Sequence, residues 1–485
     1  MSKEIYAKLS QLYTCKDIAV QKLFDEVGSL DKRCYDEFSL SEDVLMEHAA
    51  QGMEKFIRGK FAKNSKVLIV CGSGNNGADG IALSRLLAYA YDVKLFYVKD
   101  SKSPMAILQH KRAHAVGVKT TFEINRCDVV VDAVLGTGFD GKFSSEVDAV
   151  IRTINKLDAY KIACDIPSGL KEDGQCDART FVADTTLTMG ALKKSMYSDR
   201  VKNFIGNVKV LNLGVAREIY EGDTNWNLLD LEDLRLPHRI QKDTHKGTHG
   251  HLALACGEKA GASIMSALAA LRFGSGIVTL VGYENAQMLH IPYSIMYTHK
   301  VPSNTTALAC GMGLGEDFSD KELDKFLDNR LPLIVDADIF HMPILLEILK
   351  RKNLVLTPHP KEFIALLKQI EIADISIEEL QNERFRYTEE FCKAYPDITL
   401  LLKGANVIIG KKDQFFINPH GTPILAKGGS GDVLSGMIGA LLAQGYQPLD
   451  AAIHASLAHT KLAHDYKGAD FSLTPEDLID GIGDL

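Results

Sequence analysis

Short runs of aliphatic residues alternate with helix-length segments along most of this 485-residue chain. In the first half, we predict strands at 67–71, 93–98, 128–134, 161–166 and 207–215, and helices at 41–60, 80–90, 104–116 and 144–157. Strands joined by helices form parallel βαβ units, and strands buried in a parallel sheet are continuously apolar. The alternation therefore predicts an α/β fold built on parallel sheets.

A second series of the same kind begins after residue 250. Its predicted strands lie at 251–256, 277–281, 306–309, 331–336, 354–357 and 399–402, and a hairpin is predicted over 406–418 around Lys411-Lys412-Asp413. Between the series, residues 217–227 are polar, lack a clear period and carry the only tryptophan, Trp226. Because domains usually span about 100–200 residues, we predict two domains, 1–220 and 221–485.

Composition narrows the class of protein. Hydrophobic residues make up 46% and charged residues 24%, and the net charge of −8 argues against a broad nucleic-acid surface. We expect no membrane partner, because no apolar run approaches the roughly 18 residues of a span, and no signal peptide, because the first residues lack an apolar core. The nine cysteines are scattered singly without metal-ligand spacing, which favours buried thiols in a reducing cytoplasm and no zinc.

Polar residues follow three predicted strands of the first half. Gly72-Ser73-Gly74-Asn75-Asn76-Gly77 satisfies GxGxxG between a strand and a helix, and Asp100 could act as the ribose-binding acid of a dinucleotide site. Asn75, Asn76 and Asp79 instead make the loop polar, which favours hydrogen bonding to a substrate or an ion. Two later strands also end in polar segments, one with Asp132 and residues 136–138 and the other with residues 165–169. Ligands bind at the carboxyl ends of strands in such sheets, so these two segments and the 72–80 loop should meet in one crevice. The alternative is that each is only a turn rich in Gly, Asn and Asp.

The second half contains a stronger local signal, Gly428-Gly429-Ser430-Gly431-Asp432 before an apolar helix. Backbone N–H groups at such a helix start favour an anion, whereas a carboxylate there would repel a phosphate. The position of Asp432 makes sense if its carboxylate acts as a general base on a hydroxyl that attacks the phosphate. An ordinary first-turn Asp is the alternative. A Gly-containing segment at 246–250 precedes the first strand of this half. Further Gly-rich or polar segments end strands at 257–262, 311–315, 336–338, 357–363 and 403–407, and no GxxxxGK[ST] loop occurs.

Residues 10–215 resemble the NAD(P)H-hydrate epimerase family. The resemblance rests on the motifs at 45–50, 72–80, 131–138 and 165–170; Ala78 stands where the family more often has glycine. It implies a Rossmann-like three-layer domain that interconverts R and S forms of NADHX and NADPHX, cofactors hydrated at C6 of the dihydronicotinamide ring. By motif, Asp165 would be catalytic, and Asn76, Asp132 and Ser168 would bind K⁺, a cation that takes oxygen ligands. Substrate contacts would come from Asn75, Asn76, Gly77, Ala78, Asp79, Gly136, Thr137, Gly138, Phe139, Asp140, Gly141, Lys142 and Asp165.

Residues 228–485 resemble the NAD(P)H-hydrate dehydratase branch of the ribokinase-like superfamily. His359-Pro360 beside Glu362 points to this branch, although a helix-capping or packed histidine is the alternative. Residues 339–340 depart from the family's usual Ala-Leu. The resemblance implies dehydration of the S form driven by ADP or ATP with Mg²⁺, held in part by an acid such as Glu362, with Asp432 as the general base. Substrate would contact Ala262, Gly313, Gly315, His359 and Asp432, and nucleotide would contact Lys403, Gly404, Ala405, Asn406, Val407 and Gly431.

The favoured interpretation is a bifunctional repair enzyme for hydrated NADH and NADPH. A small-molecule kinase, such as a vitamin kinase, fused to an NAD-binding domain is the alternative, and a non-catalytic binding module is a third class. Retention of Asn76, Asp79, Asp132 and Asp165 argues against the last. The fused, bacterial-type arrangement favours ADP over ATP, and we expect a homo-oligomer, a tetramer or larger.

Overall fold

The computed structural model describes residues 20–139, 141–283, 290–315, 318, 320–327 and 330–485. The chain divides into two compact units, one of residues Lys22–Trp226 and one of residues Asn227–Leu485 together with Val20 and Gln21. The predicted boundary at 220/221 lies a few residues before this division. Among the described residues, no helix is long and apolar enough to cross a membrane. Their cysteines are all free thiols, and all but Cys176 are buried.

The first unit is built on a parallel seven-stranded sheet of order β4-β3-β2-β5-β6-β7-β9. β1 lies outside it and pairs in parallel with β8. The chain order reverses between β2 and β5, which makes their carboxyl ends the place where such sheets bind ligands. The strands are β1 (Gln21–Phe24), β2 (Lys66–Cys71), β3 (Asp92–Tyr97), β4 (Lys119–Thr121), β5 (Val129–Ala133), β6 (Tyr160–Cys164), β7 (Thr185–Met189), β8 (Leu192–Lys193) and β9 (Asn207–Leu211).

Helices cover both faces of this sheet, as the apolar runs predict. Val67 and Ile69 of β2 enter a core that contains residues of α1, α2 and α3, whereas Leu68 and Val70 enter a core with α5. Serine side chains accept hydrogen bonds from the first turns of α2, α4 and α5, which fixes where these helices begin. The helices are α1 (Gly28–Phe38), α2 (Glu42–Lys60), α3 (Asn75–Leu87), α4 (Pro104–Ala115), α5 (Ser145–Asn155) and α6 (Arg217–Tyr220).

Three expectations for this unit need correction. The helix predicted at 80–90 begins earlier, at Asn75. Its first turn packs closely on the end of the preceding strand, where only glycine fits, since a Cβ on Gly77 would lie 2.1 Å from the Gly72 carbonyl oxygen. The fully buried strand β7 is missed by a search for apolar runs because it is rich in threonine; the Thr186 hydroxyl donates to the Ile205 carbonyl at 2.7 Å. The segment 217–227 is not irregular throughout, since it contains α6 and the start of a strand, Trp226–Leu228.

The second unit carries a mixed sheet of order β13-β12-β11-β14-β15-β16-β17-β18-β19-β10. The seven neighbours from β13 to β17 in this order, which include β12 and β11, pair in parallel. β18 pairs antiparallel with β17 and forms the predicted antiparallel hairpin with β19, in which Lys411 lies opposite Gln414. The strands are β10 (Trp226–Leu228), β11 (His251–Cys256), β12 (Ile277–Gly282), β13 (Met296–Thr298), β14 (Ala307–Cys310), β15 (Leu333–Val335), β16 (Leu354–Leu356), β17 (Thr399–Leu402), β18 (Val407–Lys411) and β19 (Gln414–Asn418).

The core of the second unit forms around one helix, α13, which is buried over almost its whole length and packs against α7 and α14. Leu252 and Leu254 of β11 enter the same core. This packing fixes the start of α13 beside the loops that follow the parallel strands. The helices are α7 (Ala260–Arg272), α8 (Asp320–Leu327), α9 (Leu345–Ile348), α10 (Pro360–Gln369), α11 (Ile377–Asn382), α12 (Arg384–Ala394), α13 (Ser430–Ala443), α14 (Pro448–Asp465) and α15 (Pro475–Gly481).

Candidate functional sites

A cavity of about 670 Å³ lies at the carboxyl ends of β2 and β5 in the first unit. The predicted residues that line it are Asn75, Asn76, Asp79, Gly136, Thr137, Gly138, Phe139, Gly141, Lys142 and Asp165. Gly77 and Ala78 are instead buried within α3, and Asp140 lies outside the described residues. Asp100, the acid of the dinucleotide alternative, is exposed and does not line this cavity. The three polar strand ends therefore meet, as the sheet topology predicts.

The proposed ion ligands Asn76, Asp132 and Ser168 form one cluster beside Leu135, because Asn76 and Ser168 bond to Leu135 and Asp132 bonds to Ser168. The Leu135 N–H donates to Ser168 Oγ at 2.8 Å, and its carbonyl accepts from Asn76 Nδ2 at 3.0 Å. Ser168 in turn donates to Asp132, from Oγ at 2.7 Å and from its backbone N–H at 2.8 Å. Leu135 immediately precedes the loop that starts at Gly136, so this cluster fixes where the loop leaves the sheet.

Two features of this cluster suit a cation with oxygen ligands. Burial raises the pKa of the fully buried Asp132 to about 6, although hydrogen bonds from Ser168 and Val134 oppose the shift. Asn76 Oδ1 is buried, and within the described part of the chain it has no hydrogen-bond partner. A buried acceptor without a donor is costly, and a positive charge would compensate both groups.

Asp165 is held in a strained conformation at the end of β6. Its φ of 67° is in the left-handed region, which is uncommon for a non-glycine residue. Oδ1 accepts from Lys193 Nζ at 2.6 Å and from the Met189 N–H at 2.9 Å. Lys193 is almost fully buried, so its ammonium group and the Asp165 carboxylate form an ion pair shielded from solvent. Sequence reasoning missed Lys193, because Lys193-Lys194 has the pattern of an exposed pair.

Further ionisable residues line the cavity from outside the polar strand ends. Asp31 and Tyr35 come from α1, and Glu42 comes from the first turn of α2. Glu42 Oε1 accepts from Asn75 Nδ2 at 2.6 Å. The pKa of Asp79 is raised well above that of an ordinary aspartate, first by burial and then by repulsion from Asp165. The cavity thus combines the Asp165–Lys193 ion pair with a carboxyl group, that of Asp79, whose pKa is raised.

The second candidate site lies at the start of α13. Gly429 precedes the helix with φ 90°, and Ser430 Oγ lies 3.1 Å from His459 Nε2 in α14. The Asp432 carbonyl accepts from Ser266 Oγ at 2.7 Å, which ties this turn to α7. Burial raises the pKa of Asp432 to about 6; Asp336 adds to the shift and Lys403 opposes it. Asp432 is therefore a stronger base than an exposed aspartate, but is still ionised at neutral pH.

An ion pair adjoins this turn. Lys403 Nζ donates to Asp336 Oδ1 at 2.7 Å, and Ser435 of α13 donates to Asp336 Oδ2 at 2.7 Å. A Cβ added to Gly431 would lie 3.4 Å from Lys403 Nζ. The lysine thus lies beside the helix start, where its positive charge adds to that of the helix dipole.

Buried Arg384 orders the loop that begins at Lys403. Its Nη2 donates to the carbonyls of Leu402, Lys403 and Asn406, at 3.3, 3.1 and 3.4 Å. Of the predicted nucleotide contacts in this loop, Gly404 and Ala405 are exposed, whereas Asn406 and Val407 are buried. The exposed tip is therefore the part available to a ligand.

His359 and Glu362 form a reciprocal capping box at the start of α10. His359 Nδ1 accepts from the Glu362 N–H at 3.1 Å, and Glu362 Oε2 accepts from the His359 N–H at 2.7 Å. Burial lowers the pKa of His359 and raises that of Glu362 to about 7, and Lys403 opposes the latter shift. His359 is thus a helix cap, and its half-exposed side chain is also open to a ligand.

The glycine loop after β14 meets the loop after β11. Gly313 has φ 69°, and a Cβ there would lie 2.3 Å from the Lys259 carbonyl and 3.1 Å from the Ala262 Cβ. The Gly315 N–H donates to Asp338 Oδ2 at 3.0 Å. Asp338 also contributes to the raised pKa of Asp432, which connects these loops electrostatically to α13.

Each unit carries acidic and glycine-rich segments at the carboxyl ends of parallel strands, and together the two units define a two-domain α/β enzyme. Two family models match the chain, the YjeF-related protein N-terminus over residues 42–195 and NAD(P)H-hydrate dehydratase over residues 252–483. The bifunctional NAD(P)H-hydrate repair enzyme of Helicobacter pylori is 42% identical over 96% of this chain and 99% of its own length. The chain therefore belongs to the family of bifunctional NAD(P)H-hydrate repair enzymes, which combine an epimerase with a dehydratase.

Two further proteins are similar to this chain. The bifunctional NAD(P)H-hydrate repair enzyme of Escherichia coli is 30% identical over 90% of this chain and 87% of its own length. The solved ADP/ATP-dependent NAD(P)H-hydrate dehydratase from Bacillus subtilis is 28% identical and covers 51% of this chain and 92% of its own, with a TM-score of 0.44. The predicted fold class and function are confirmed by the family models and the curated relatives.

Proposed function

We propose that the first unit epimerises R- and S-NAD(P)HX in its cavity and that the second dehydrates S-NAD(P)HX at the start of α13, at the expense of ADP. The observation that carries this division is the chemistry of the two sites. The first joins an ion pair, Asp165–Lys193, to Asp79, a carboxyl group whose pKa burial raises. The second places a carboxylate, Asp432, among backbone N–H groups beside a lysine.

Asp432 is the proposed general base of dehydration. It takes the proton of the C6 hydroxyl as that oxygen attacks the terminal phosphate of the nucleotide. The phosphate ester is then expelled by the lone pair of the ring nitrogen, and loss of a C5 proton restores NADH or NADPH. Its raised pKa, about 6, supports this role, because a base works best near the operating pH.

The backbone N–H groups of 428–431 and the ammonium group of Lys403, which lies beside Gly431, would stabilise the negative charge on the phosphoryl group during its transfer. Gly404, Ala405 and Gly431 are the accessible predicted contacts for nucleotide. Ala262, Gly313, Gly315 and His359 are the proposed contacts for the hydrated ring.

Mg²⁺ would be held mainly by nucleotide phosphates, with Glu362 as a protein ligand, and would neutralise phosphate charge. The described residues contain no cluster of three or more His, Cys, Asp or Glu side chains that could hold a metal on their own. The pKa of Glu362 is raised to about 7, and a nearby cation would lower it and so favour the ionised carboxylate that binds metal.

K⁺ would be held in the first unit by Asn76, Asp132 and Ser168. The partnerless Asn76 Oδ1 and the buried Asp132 carboxyl support this assignment. The ion would supply positive charge that stabilises the loop from Gly136. Asn75, Asn76, Asp79, Asp165 and the 136–142 loop are the proposed substrate contacts, whereas the burial of Gly77 and Ala78 suits a supporting role in α3.

The test is recovery of absorbance at 340 nm from separated R- and S-NADHX, with ADP and ATP compared. The proposal expects direct NADH release from the S form and release from the R form only after epimerisation, with the higher rate in ADP. The kinase alternative expects a stable phosphorylated product and no NADH. An S form that remains unchanged with both nucleotides would remove the dehydratase assignment.

A cytoplasmic location and a homo-oligomer, a tetramer or larger, are also proposed. Free, buried thiols are compatible with a reducing compartment. The oligomer rests on the family resemblance, and sedimentation equilibrium would measure it directly.

A further inference from the structure

Helix α1 forms part of the wall of the first cavity, although it precedes the residues that the family model matches. Gly28, Asp31 and Tyr35 line the cavity, and their spacing places them on one face of the helix. Leu30 and Cys34, on another face, are buried in the core. Helix α1 therefore carries a carboxyl group, that of Asp31, to the proposed site of epimerisation.

Asp31 is fixed by a buried tyrosine. The Tyr220 hydroxyl donates to Asp31 Oδ1 at 2.7 Å, and Tyr220 is only 2% exposed. Its ring packs on Gly190, where a Cβ would lie 2.4 Å away. Gly190 follows Met189, whose N–H binds Asp165. Tyr220 thus bonds to Asp31 and packs against the turn that holds Asp165, so it fixes the positions of both carboxyl groups.

A second set of contacts keeps α1 in this position. Arg33 Nη2 donates to the carbonyls of Ile219 and Tyr220 at 2.5 and 2.6 Å. Because these bonds end in α6, the helix that carries Tyr220, they preserve the spacing of the Asp31–Tyr220 pair. The placement of Asp31 is therefore specified by two helices at opposite ends of the unit's sequence.

The charges in the cavity favour a proton on Asp31. Lys193 Nζ pairs with Asp165 Oδ1 at 2.6 Å, so the Asp165 carboxylate offsets much of the positive charge that Asp31 would otherwise experience. Burial raises the pKa of Asp31; the Tyr220 hydrogen bond and Lys193 lower it, and Asp165 and Glu26 raise it. The ionisable groups that interact electrostatically with Asp31 are Tyr220, Lys193, Asp165, Glu26, Asp79, Cys34 and Tyr35. Asp31 thus keeps its proton to higher pH than an exposed aspartate.

We propose that Asp31, held by Tyr220, is a proton donor in epimerisation, an assignment that rests on the proposed function of the first unit. Asp31 gives its proton to the C6 hydroxyl oxygen while the C6–O bond breaks and its electron pair leaves with water. The lone pair of the ring nitrogen forms the C6–N double bond. Water then adds to the other face of C6, and its proton passes to the Asp165 carboxylate. Solvent returns a proton to Asp31 and takes one from Asp165, which completes the balance.

The first test replaces the acid. In the full-length protein supplied with R-NADHX, Asp31→Asn lowers kcat for conversion to the S form by about 10²-fold, the usual loss for an acid–base group. NADH release from S-NADHX stays at the wild-type rate. Asp36→Asn, at an exposed position of the same helix, is the matched control and leaves both rates unchanged. Chromatographic separation of the epimers measures the conversion.

The second test uses Tyr220→Phe, which removes the hydrogen bond and keeps the ring in place. Because that bond lowers the pKa of Asp31, its loss shifts the alkaline fall in epimerisation to higher pH. The sign follows from the role: a donor acts while protonated, and its activity is lost as pH rises through its pKa. A merely structural tyrosine would lower the rate equally at every pH.

The outcomes separate this inference from the proposed function. If wild-type protein converts R-NADHX and Asp31→Asn does so at the same rate, the role of Asp31 is overturned and the epimerase assignment stands. If wild-type protein itself does not convert the epimers, the proposed function of the first unit is wrong. A pH profile unmoved by Tyr220→Phe would remove the tyrosine from the mechanism.

Discussion

At the scale of single residues, Asp432 makes the sharpest prediction. Asp432→Asn should lower dehydration of S-NADHX by about 10²- to 10⁴-fold, because the nearly isosteric amide cannot accept a proton. Epimerisation, followed by chromatography, should be unchanged. Dehydration is measured at 340 nm with saturating ADP.

Asp413→Asn, in the exposed turn of the β18–β19 hairpin, is the control for the loss of one negative charge. It should leave both activities unchanged. More than about a tenth of wild-type dehydration in Asp432→Asn, far above the remainder expected after loss of a base, would exclude Asp432 as that base.

Residues in motifs were predictable, whereas those that support them were not. Asp132 lies near the end of β5 and Asp165 directly follows β6, whereas Asp79 and Asp432 lie near the starts of α3 and α13. At such positions the local sequence already indicates function. Lys193 is the second residue of the two-residue strand β8 and has the sequence pattern of an exposed side chain, yet the fold buries it. Its partner is distant in the chain, so only tertiary structure brings the two together.

At the scale of elements, the start of α13 depends on one backbone conformation. Gly429→Ala should destabilise the protein by about 2 kcal/mol, because φ 90° strains an alanine. The new Cβ would also lie 2.5 Å from Pro475 Cγ. Dehydration should fall as well, since the strained turn would misplace the amides. Urea unfolding measures the loss.

Gly428→Ala is the matched control, because a Cβ there meets nothing within 4 Å and its φ is not in the left-handed region. It should change the free energy of unfolding by much less. Equal destabilisation by the two substitutions would mean that general loss of flexibility, and not the turn at Gly429, is responsible.

Contact between α13 and α14 predicts a pH dependence of stability. His459 pairs with Ser430, and burial lowers its pKa to about 4. The unfolded chain then binds a proton that the folded chain excludes. His459 thus contributes stability above pH 6.5 that is lost as pH falls toward 4, on the order of 3 kcal/mol at full titration.

His459→Gln should therefore flatten the fall in unfolding free energy between pH 7 and 5. His464→Gln, at an exposed position of the same helix, should leave the slope as in wild type. Buried His454, whose pKa burial also lowers to about 4, keeps part of the dependence in both variants. An unchanged slope in His459→Gln would show that this histidine titrates equally in both states.

Element types were more predictable than their limits. Apolar strands such as β11 and β17 have their predicted bounds, because fully buried parallel strands exclude polar residues. β7 escaped notice because threonine hydroxyls bond within the core, and α1 because its cavity face carries Asp31 and Tyr35 and resembles a solvated surface. In both, tertiary partners satisfy polar groups that the sequence presents as exposed.

At the scale of the whole molecule, the two activities should separate. Asp132→Ala should remove most K⁺ affinity, because Asp132 is the carboxylate of the proposed ligand set. With S-NADHX, NADH should still form near the wild-type rate. With R-NADHX, it should form only as fast as the epimers interconvert spontaneously.

Asp100→Ala is the control, and it also tests the dinucleotide alternative, in which Asp100 would bind ribose. It should leave rates with both epimers unchanged. Because Asp132 is buried, the melting temperature of each variant is measured beside its activity. Equal loss on both epimers in a folded Asp132→Ala protein would mean that the two sites do not act independently.

The thiols of the described residues have a practical consequence. Burial raises the pKa of Cys34, Cys71, Cys127, Cys164, Cys176, Cys256, Cys310 and Cys392, so each has little thiolate at neutral pH. Alkylating reagents attack thiolates, and these groups should react slowly in the native state. A cysteine introduced at exposed Tyr89 or Phe471 should then accept a maleimide dye ahead of these eight thiols, as intact mass would show, and would place a reporter on either unit without removal of any of the eight.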